Sequence, residues 1–374
     1  MAPWLVSTGA QLAYFAWEVN NGTTYAGEYV TLTGDIDLGG REWTAIGTDF
    51  SHPFKGSFDG AGHAVSNLFI NKPDTDMQGL FGCLIGAEIK NLGLENVNVT
   101  GKGWVGGIAG YVRGGSNIAD SYSTGNVSGT DYYVGGIAGY IGGTSDINSI
   151  KNSYSTGTVS GNDYVGGIAG HVGGTSGNNG VVNCYSTGNV SGNTSVGGIA
   201  GRVGSTSGSA SVVSCYSTGN VSGTGYYVGG VAGRVGATNG SDSVENSYST
   251  GTVNGNDYVG GIAGYVGATS GSASVVNCAA LNPWVRATAS YAGRVVGSSG
   301  STGTGNVAWD GIETGGGAAF TGNAGTGITK TAIQNGSGFP FNVTAAPWSY
   351  PTTGILPTLI GLAGQNNALP AHLQ

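Results

Sequence analysis

The chain carries little charge. Its 374 residues include only 12 Lys plus Arg and 20 Asp plus Glu, 9% together, and the balance is −8 with an isoelectric point near 4.8. Scattered basic residues under a net negative charge argue against a nucleic-acid partner, which needs a basic patch or stripe. Charge this sparse also removes the self-repulsion that keeps some chains disordered. No run approaches the ~18 consecutive apolar residues of a membrane span. The start, Met1-Ala-Pro-Trp-Leu-Val6, lacks a basic-then-apolar leader. Met1 is therefore expected to stand where the leader of an exported protein has been removed. Cysteine is scarce: Cys83, Cys184, Cys215 and Cys278. The four histidines (His52, His63, His171 and His372) show no ligand spacing with Cys or with one another. No metal and no cofactor is expected on that pattern.

What the chain has in excess is glycine, 76 residues, without the every-third spacing of collagen. The glycines belong to a repeat. Val105-Gly-Gly-Ile-Ala-Gly110 recurs from Val134, Val165, Val196, Val228 and Val259, in steps of 29, 31, 31, 32 and 31 residues. The other half of the unit, Tyr-Ser-Thr-Gly-(Asn/Thr)-Val, begins at Tyr122, Tyr154, Tyr185, Tyr216 and Tyr248. A fixed period of this length means stacked supersecondary units. Helical repeats need 10 to 15 glycine-free residues with a 3.6-residue apolar period. Here every unit has several glycines among Val, Thr, Tyr and Ile, which favour strands. The reading is an all-β, single-stranded parallel β-solenoid of about 8–10 coils, stacked ~4.8 Å apart, roughly 40 to 50 Å in all.

Alternation assigns the columns. Val127, Val159, Val190, Val221 and Val253 point inward, as do Ser123, Ser155, Ser186, Ser217 and Ser249. So does the column Ser121, Ser153, Cys184, Cys215, Ser247, Cys278. Cys184 and Cys215 then lie one coil apart, but parallel Cβ vectors suit a disulfide poorly, and they are expected to be buried and unbridged. Ile108 and its equivalents are core. The Val three residues earlier joins them if the Gly-Gly bends the chain. The Tyr column from Tyr122 to Tyr248 faces out, with a coil wide enough to bury the rings as the competing geometry.

In chain order, residues 1–28 form an N-terminal cap. Within it Thr8 to Asn20 is a helix with Leu12, Phe15, Ala16 and Val19 on one face, covering the open end of the stack. Residues 29–103 form divergent first coils, with a strand over Tyr29–Leu38 and two strands around the turn Asp59-Gly-Ala-Gly62. Gly79-Leu-Phe-Gly82 matches Gly107-Ile-Ala-Gly110 at an offset of 28. Regular coils occupy 104–296. Ser290 to Val295 matches Gly261 to Val266 at an offset of 29, as a last degenerate coil. Residues 297–374, rich in Pro, form an irregular C-terminal cap folded back on the stack, with a short helix at Thr329–Gln334.

Asn183-Cys-Tyr-Ser-Thr-Gly-Asn-Val-Ser-Gly192 followed by Val196-Gly-Gly-Ile-Ala-Gly201 resembles the GLUG repeat of bacterial surface and secreted proteins. Gln11-Leu-Ala, Asp35-Ile-Asp-Leu38 and Phe54-Lys-Gly-Ser-Phe-Asp-Gly60 resemble the segment that often precedes such repeats. The likeness covers roughly residues 5 to 300 and departs in having Ile-Ala or Val-Ala where the family more often has Leu-Val. It implies a right-handed solenoid, exported or on the cell surface, found in adhesin-like proteins and beside protease domains. It attaches no catalytic role to the repeat, and the zinc motif of such a protease is absent from this chain.

Three kinds of site follow. A solenoid enzyme needs convergent carboxylates, or a carboxylate with a base. Asp35, Asp37, Asp59 and His63 are the candidates, but they sit at turns and strand ends, where structure explains them. Asp131, Asp163 and Asp257 share one turn, but Ser195 and Tyr226 interrupt that chemistry, which disfavours a calcium ladder. The second kind is aromatic. Trp104, Tyr133, Tyr164, Tyr227 and Tyr258 share one column, with Ser195 as its gap; Tyr111, Tyr140, His171, Arg202, Arg234 and Tyr265 share another. Such rings and guanidiniums hold a stack together, or bind a glycan or a host or bacterial surface protein through Arg202, Arg234, Tyr111, Tyr140, Tyr265, Tyr164, Tyr227 and Tyr258. The third is an ice surface, met by Thr124, Thr156, Thr187, Thr218, Thr250 and by Asn126, Thr158, Asn189, Asn220, Thr252 on a flat, weakly charged face. The alternative there is that the ladders satisfy themselves. The reading is an exported, non-enzymatic stalk or adhesin-like binder.

Overall fold

The computed structural model describes residues 2–236, 238–298, 303–314, 320, 322–350 and 353–374. It is a parallel β-solenoid of about nine turns with a spacing near 31 residues. Ten strands, from Trp4–Val6 and Tyr29–Leu32 to Ser241–Glu245 and Ser272–Val276, stack side by side on one face. Nine steps at the usual strand spacing make roughly 43 Å. Two seven-stranded parallel sheets carry the two halves of the Val-Gly-Gly-Ile-Ala-Gly motif: Val105–Gly106 to Ala292–Gly293, and Phe81–Ile85 to Ala263–Val266. The fourth face carries the Tyr-Ser and Val strands, continuous in Tyr122–Gly129 and split in later coils, as in Tyr154–Ser155 and Thr158–Ser160.

The repeat dictates this winding. In each unit the hexapeptide's Val and Ile are both fully buried, for example Val196 and Ile199. Strict alternation would have put one of them outside. The Gly-Gly between them bends the chain so closely that a Cβ on Gly197 would lie 2.1 Å from the Ala200 carbonyl. The inward Val, Ser and Cys columns are all buried, and one continuous apolar core runs from Val6 to Ile312. Burying each such aliphatic side chain contributes about 1.5–3 kcal/mol.

The helix is Gly9–Asn20, with Thr8 Oγ1 accepting from the Gln11 amide at 3.2 Å. Leu12, Phe15, Ala16 and Val19 are its buried residues, and Phe15 meets Phe54 edge to face at 5.5 Å. The short helix is Lys330–Gln334, capped by Thr329. The turn at Asp59 joins Ser57–Asp59 to Ala64–Ser66, but these strands lie in different sheets, each paired parallel with its neighbouring coils. Gly79–Gly82 falls in the register expected, Phe81 beside Ala109.

Three readings need correction. The strand expected over Tyr29–Leu38 is broken at Thr33–Asp35: Tyr29–Leu32 lies in the ten-stranded sheet and Ile36–Asp37 in the sheet of the Tyr-Ser strands, because the coil turns a corner between them. The last coil aligns at an offset of 33, not 29: Ala292 stands beside Val259 and Gly293 beside Gly260. That register places Ala292 and Val295 in the buried slots of Val259 and Ile262 and leaves Tyr291 outside, whereas the other would have driven the Tyr291 ring into the slot of the fully buried Ile262. The Tyr column does face away from the coil interior, yet Tyr185, Tyr216 and Tyr248 are at most 1% exposed. The C-terminal segment covers them, forming a second apolar cluster with Ile333, Trp348, Leu359 and Leu373.

Candidate functional site

Among the described residues, one feature that repeats along the outer surface and carries rings and charge is the pair of columns at the Val-Gly-Gly-Ile-Ala-Gly strands. In the first column Trp104, Tyr133, Tyr164, Ser195, Tyr227 and Tyr258 all have positive φ, between 51° and 65°. Bulky residues rarely adopt this conformation, and each costs of order 1–3 kcal/mol. The turn persists because it sends the ring outward while the next residue, the hexapeptide Val, goes fully inward. The last Gly of the following hexapeptide accommodates it: a Cβ on Gly201 would lie 2.4 Å from the carbonyl carbon of Tyr164, and Gly170 and Gly264 are equally close to Tyr133 and Tyr227 at 2.6 Å.

The second column is in register from Tyr111 through Tyr140, His171, Arg202 and Arg234 to Tyr265. Tyr111 and Tyr140 stack at 4.7 Å, and Tyr133 and Tyr164 at 5.0 Å. The columns touch through Tyr133 and His171 at 5.4 Å and through Tyr227 and Tyr265 at 5.1 Å. The Arg234 guanidinium lies 5.8 Å from the Tyr227 ring centre and 5.6 Å from that of Tyr265. Tyr111, Tyr140, Tyr164, Tyr227, Tyr258, Tyr265, Arg202 and Arg234 are all half-buried. His171 is buried, its Nε2 donating to the Gly204 carbonyl at 2.9 Å; burial, and then the charge of Arg202, lower its pKa to about 3. The imidazole is neutral at ordinary pH.

Sequence reasoning missed the ends of this strip. Phe50 packs on Tyr111 at 5.1 Å, with the Arg113 guanidinium 4.6 Å from its ring centre. Tyr291 stacks on Tyr258 at 4.9 Å. The offset of 29 hid Tyr291; the offset of 33 places it in the column. A further missed column is the corner Asn91, Asp120, Asn152, Asn183, Ser214, Asn246, Asn277, with φ between 47° and 54°. Its signal was the Asn or Asp two residues before every Tyr-Ser but Tyr216-Ser217, a residue type that tolerates this conformation and ladders along the stack, as Asn152 Nδ2 does to Asp120 Oδ1 at 3.0 Å.

The other candidates are held by structure. His63 Nδ1 lies 3.3 Å from Asp35 Oδ1 in an exposed pair, and the Ala64 amide and then His63 hold Asp35 below the usual carboxylate range. Asp37 accepts from Asn67 Nδ2 and the Gly39 amide, and Asp59 from the Ala61 amide and Asn91 Nδ2. Among the described residues no group of three or more His, Cys, Asp or Glu is placed to hold a metal. Thr124, Thr156, Thr187 and Thr218 are half-buried; Thr250 is buried and so does not face solvent. Asn282 of the next coil closes over that strand, donating to Ser249 Oγ at 3.0 Å and to the Gly251 carbonyl. Asn126, Thr158, Asn189 and Asn220 are exposed and Thr252 half-buried. This ladder is internally bonded in part: Asn189 Oδ1 accepts from the Asn220 amide, and Asn220 Oδ1 from the Thr252 amide and hydroxyl.

No known family profile matches the chain. A stretch of 125 residues is 36% identical to halomucin of Haloquadratum walsbyi, covering 30% of this chain and 1% of that protein. A stretch of 111 residues is 35% identical to a "putative Gly-rich membrane protein" of Evansella cellulosilytica, covering 27% of this chain and 12% of that one. The chain thus spans a small part of either relative. A solved structure described as a "putative immunoglobulin A1 protease" of Bacteroides ovatus aligns over 96% of this chain and 92% of its own, with 22% identity and a TM-score of 0.48.

Proposed function

We propose that this chain is an exported or cell-surface solenoid of the GLUG-repeat, adhesin-like kind, which binds through its strip of rings and guanidiniums and performs no chemistry. The observation that carries the reading is the strip itself, running from Phe50 to Tyr291 on strands held rigid by parallel ladders. Half-buried Tyr and Arg offer much contact area and lose little side-chain freedom on binding. The names of the two partial relatives, a halomucin and a Gly-rich membrane protein, fit a place at the cell surface. Asp35, Asp37 and Asp59, the acids singled out for such chemistry, each accept hydrogen bonds from a turn or a neighbouring coil.

The column supplies its own test substitution, because Ser already stands at position 195. Tyr164→Ser with Tyr227→Ser should weaken attachment to glycans or to isolated cell envelopes at least tenfold, with a melting temperature within a few degrees of the parent. Unchanged attachment would make the strip purely structural and sink the reading.

A further inference from the structure

The strip changes character at its middle. Arg202 and Arg234 stand one coil apart in direct register, ~4.8 Å along the stack. Both are half-buried, and the Nε of each is buried with no hydrogen-bond partner. Neither guanidinium forms an ion pair or a hydrogen bond with any described residue, whereas Arg294 pairs with Asp310 at 3.3 Å. A guanidinium has five N–H donors, and two like charges stacked this closely repel. Ring contact with Tyr227 and Tyr265 supports Arg234 but takes none of its donors. His171, on the other side of Arg202, is neutral and already committed to Gly204. The carboxylate of Asp242 interacts with Arg202 electrostatically but is buried and engaged by the Ser205 and Ala210 amides.

We propose that the Arg202–Arg234 pair is an anion subsite and that the strip's ligand is a saccharide bearing isolated carboxylate or sulfate groups. This rests on the reading of the strip as the contact face. A planar fork that donates to two oxygens of one anionic group suits both chemistries. The setting sets the charge density of the ligand. Asp163 and Asp257 border the same strip, and the whole chain has a formal charge of −8. A densely charged polyanion would be repelled on both sides of the pair, while one anionic group on an otherwise neutral sugar chain would not. Tyr rings on neighbouring coils, with hydroxyls at their edges, continue the surface along which such a chain would lie.

The test is an array of oligosaccharides in matched pairs, each carboxylate- or sulfate-bearing glycan beside its neutral counterpart, probed with the full chain. Charged members should be retained and neutral ones bound at least tenfold more weakly, with retention falling as salt rises. Arg202→Gln with Arg234→Gln should lose roughly tenfold or more, the size of a lost charge-assisted bond, at an unchanged melting temperature. The double Lys variant, which keeps the charge without the fork, should fall between. Equal retention of charged and neutral members, or parental binding by the double Gln variant, overturns the anion subsite while leaving the strip a contact face. Retention of acidic peptides but no glycan overturns the saccharide class. A folded parent that retains nothing overturns both this inference and the strip's binding role.

Discussion

Tyr216 and Tyr248 lie face to face, ring centres 4.9 Å apart and planes 2° from parallel, beneath the C-terminal segment. Their hydroxyls reach that segment: Tyr216 donates to Gln365 Oε1 at 3.0 Å and Tyr248 to the Pro357 carbonyl at 2.7 Å. Tyr185 does the same with the Ala363 carbonyl. The rings that a bare solenoid would leave in water become the floor on which the tail is seated. Tyr216→Phe should cost about 0.5–1.5 kcal/mol, one hydrogen bond, and Tyr216→Ala about 3–5 kcal/mol, a buried ring. Denaturant unfolding of both variants checks the ranking, and early proteolytic release of the tail should accompany the Ala change alone. Equal costs would mean that the hydroxyl, not the ring, holds the tail.

The last glycine of the hexapeptide sets how closely coils approach. Gly201→Ala would force a Cβ against the Tyr164 backbone, which has no freedom to retreat without moving the coil. We expect a loss of at least ~2 kcal/mol, at the level of core overpacking. Measurement is by thermal unfolding. A neutral outcome would show that the ring column does not require this contact.

Asp242 gives the stability a pH dependence. Burial raises its pKa from 3.8 to about 6, against the lowering effect of the Ser205 and Ala210 amides. The folded state therefore holds the proton more tightly than the unfolded chain. The penalty for ionising it grows as pH rises from about 4 through about 6, and reaches about 2–3 kcal/mol above that. Asn fills a like role in earlier coils, where Asn148 Oδ1 accepts from the Gly115 and Ser116 amides. Asp242→Asn should gain on the parent by that amount between pH 4 and pH 7, whatever its offset at pH 4. His171 acts in the opposite sense: its lowered pKa means stability is complete above about 6.5 and lost as pH falls toward 3. Because both variants keep His171, the comparison cancels it. A pH-independent difference would show that Asp242 is not ionising inside the fold.

Cys83, Cys184, Cys215 and Cys278 are all buried free thiols, and burial raises the pKa of Cys83 and Cys278 to about 12. The Cys184 amide lies 3.4 Å from Cys215 Sγ, an arrangement that replaces the serine ladder of other coils. Alkylating reagent should leave the native chain unmodified and label four thiols once it is unfolded without reductant. Recovery of a 184–215 bridge by mass spectrometry would contradict the packing.

Most of the solenoid was determined by the sequence alone, because its order is local and repeated. Identical residues one period apart must occupy equivalent places, so one unit's alternation placed the Val, Ser, Cys and Ile columns for the whole stack. The Thr8 cap and the apolar stripe from Leu12 to Val19 likewise specified the first helix within a single segment. What the sequence did not determine lies where distant segments meet. That the tail would cover Tyr185, Tyr216 and Tyr248 depends on residues more than a hundred positions away, with no period to align them. The offset of the last coil depended on which apolar residues could be buried together, and burial is a property of the packed stack. The unclaimed donors of Arg202 and Arg234 are of the same kind. Whether a donor finds an acceptor is decided by every neighbouring coil, and only tertiary packing shows that none of the described residues accepts from either guanidinium.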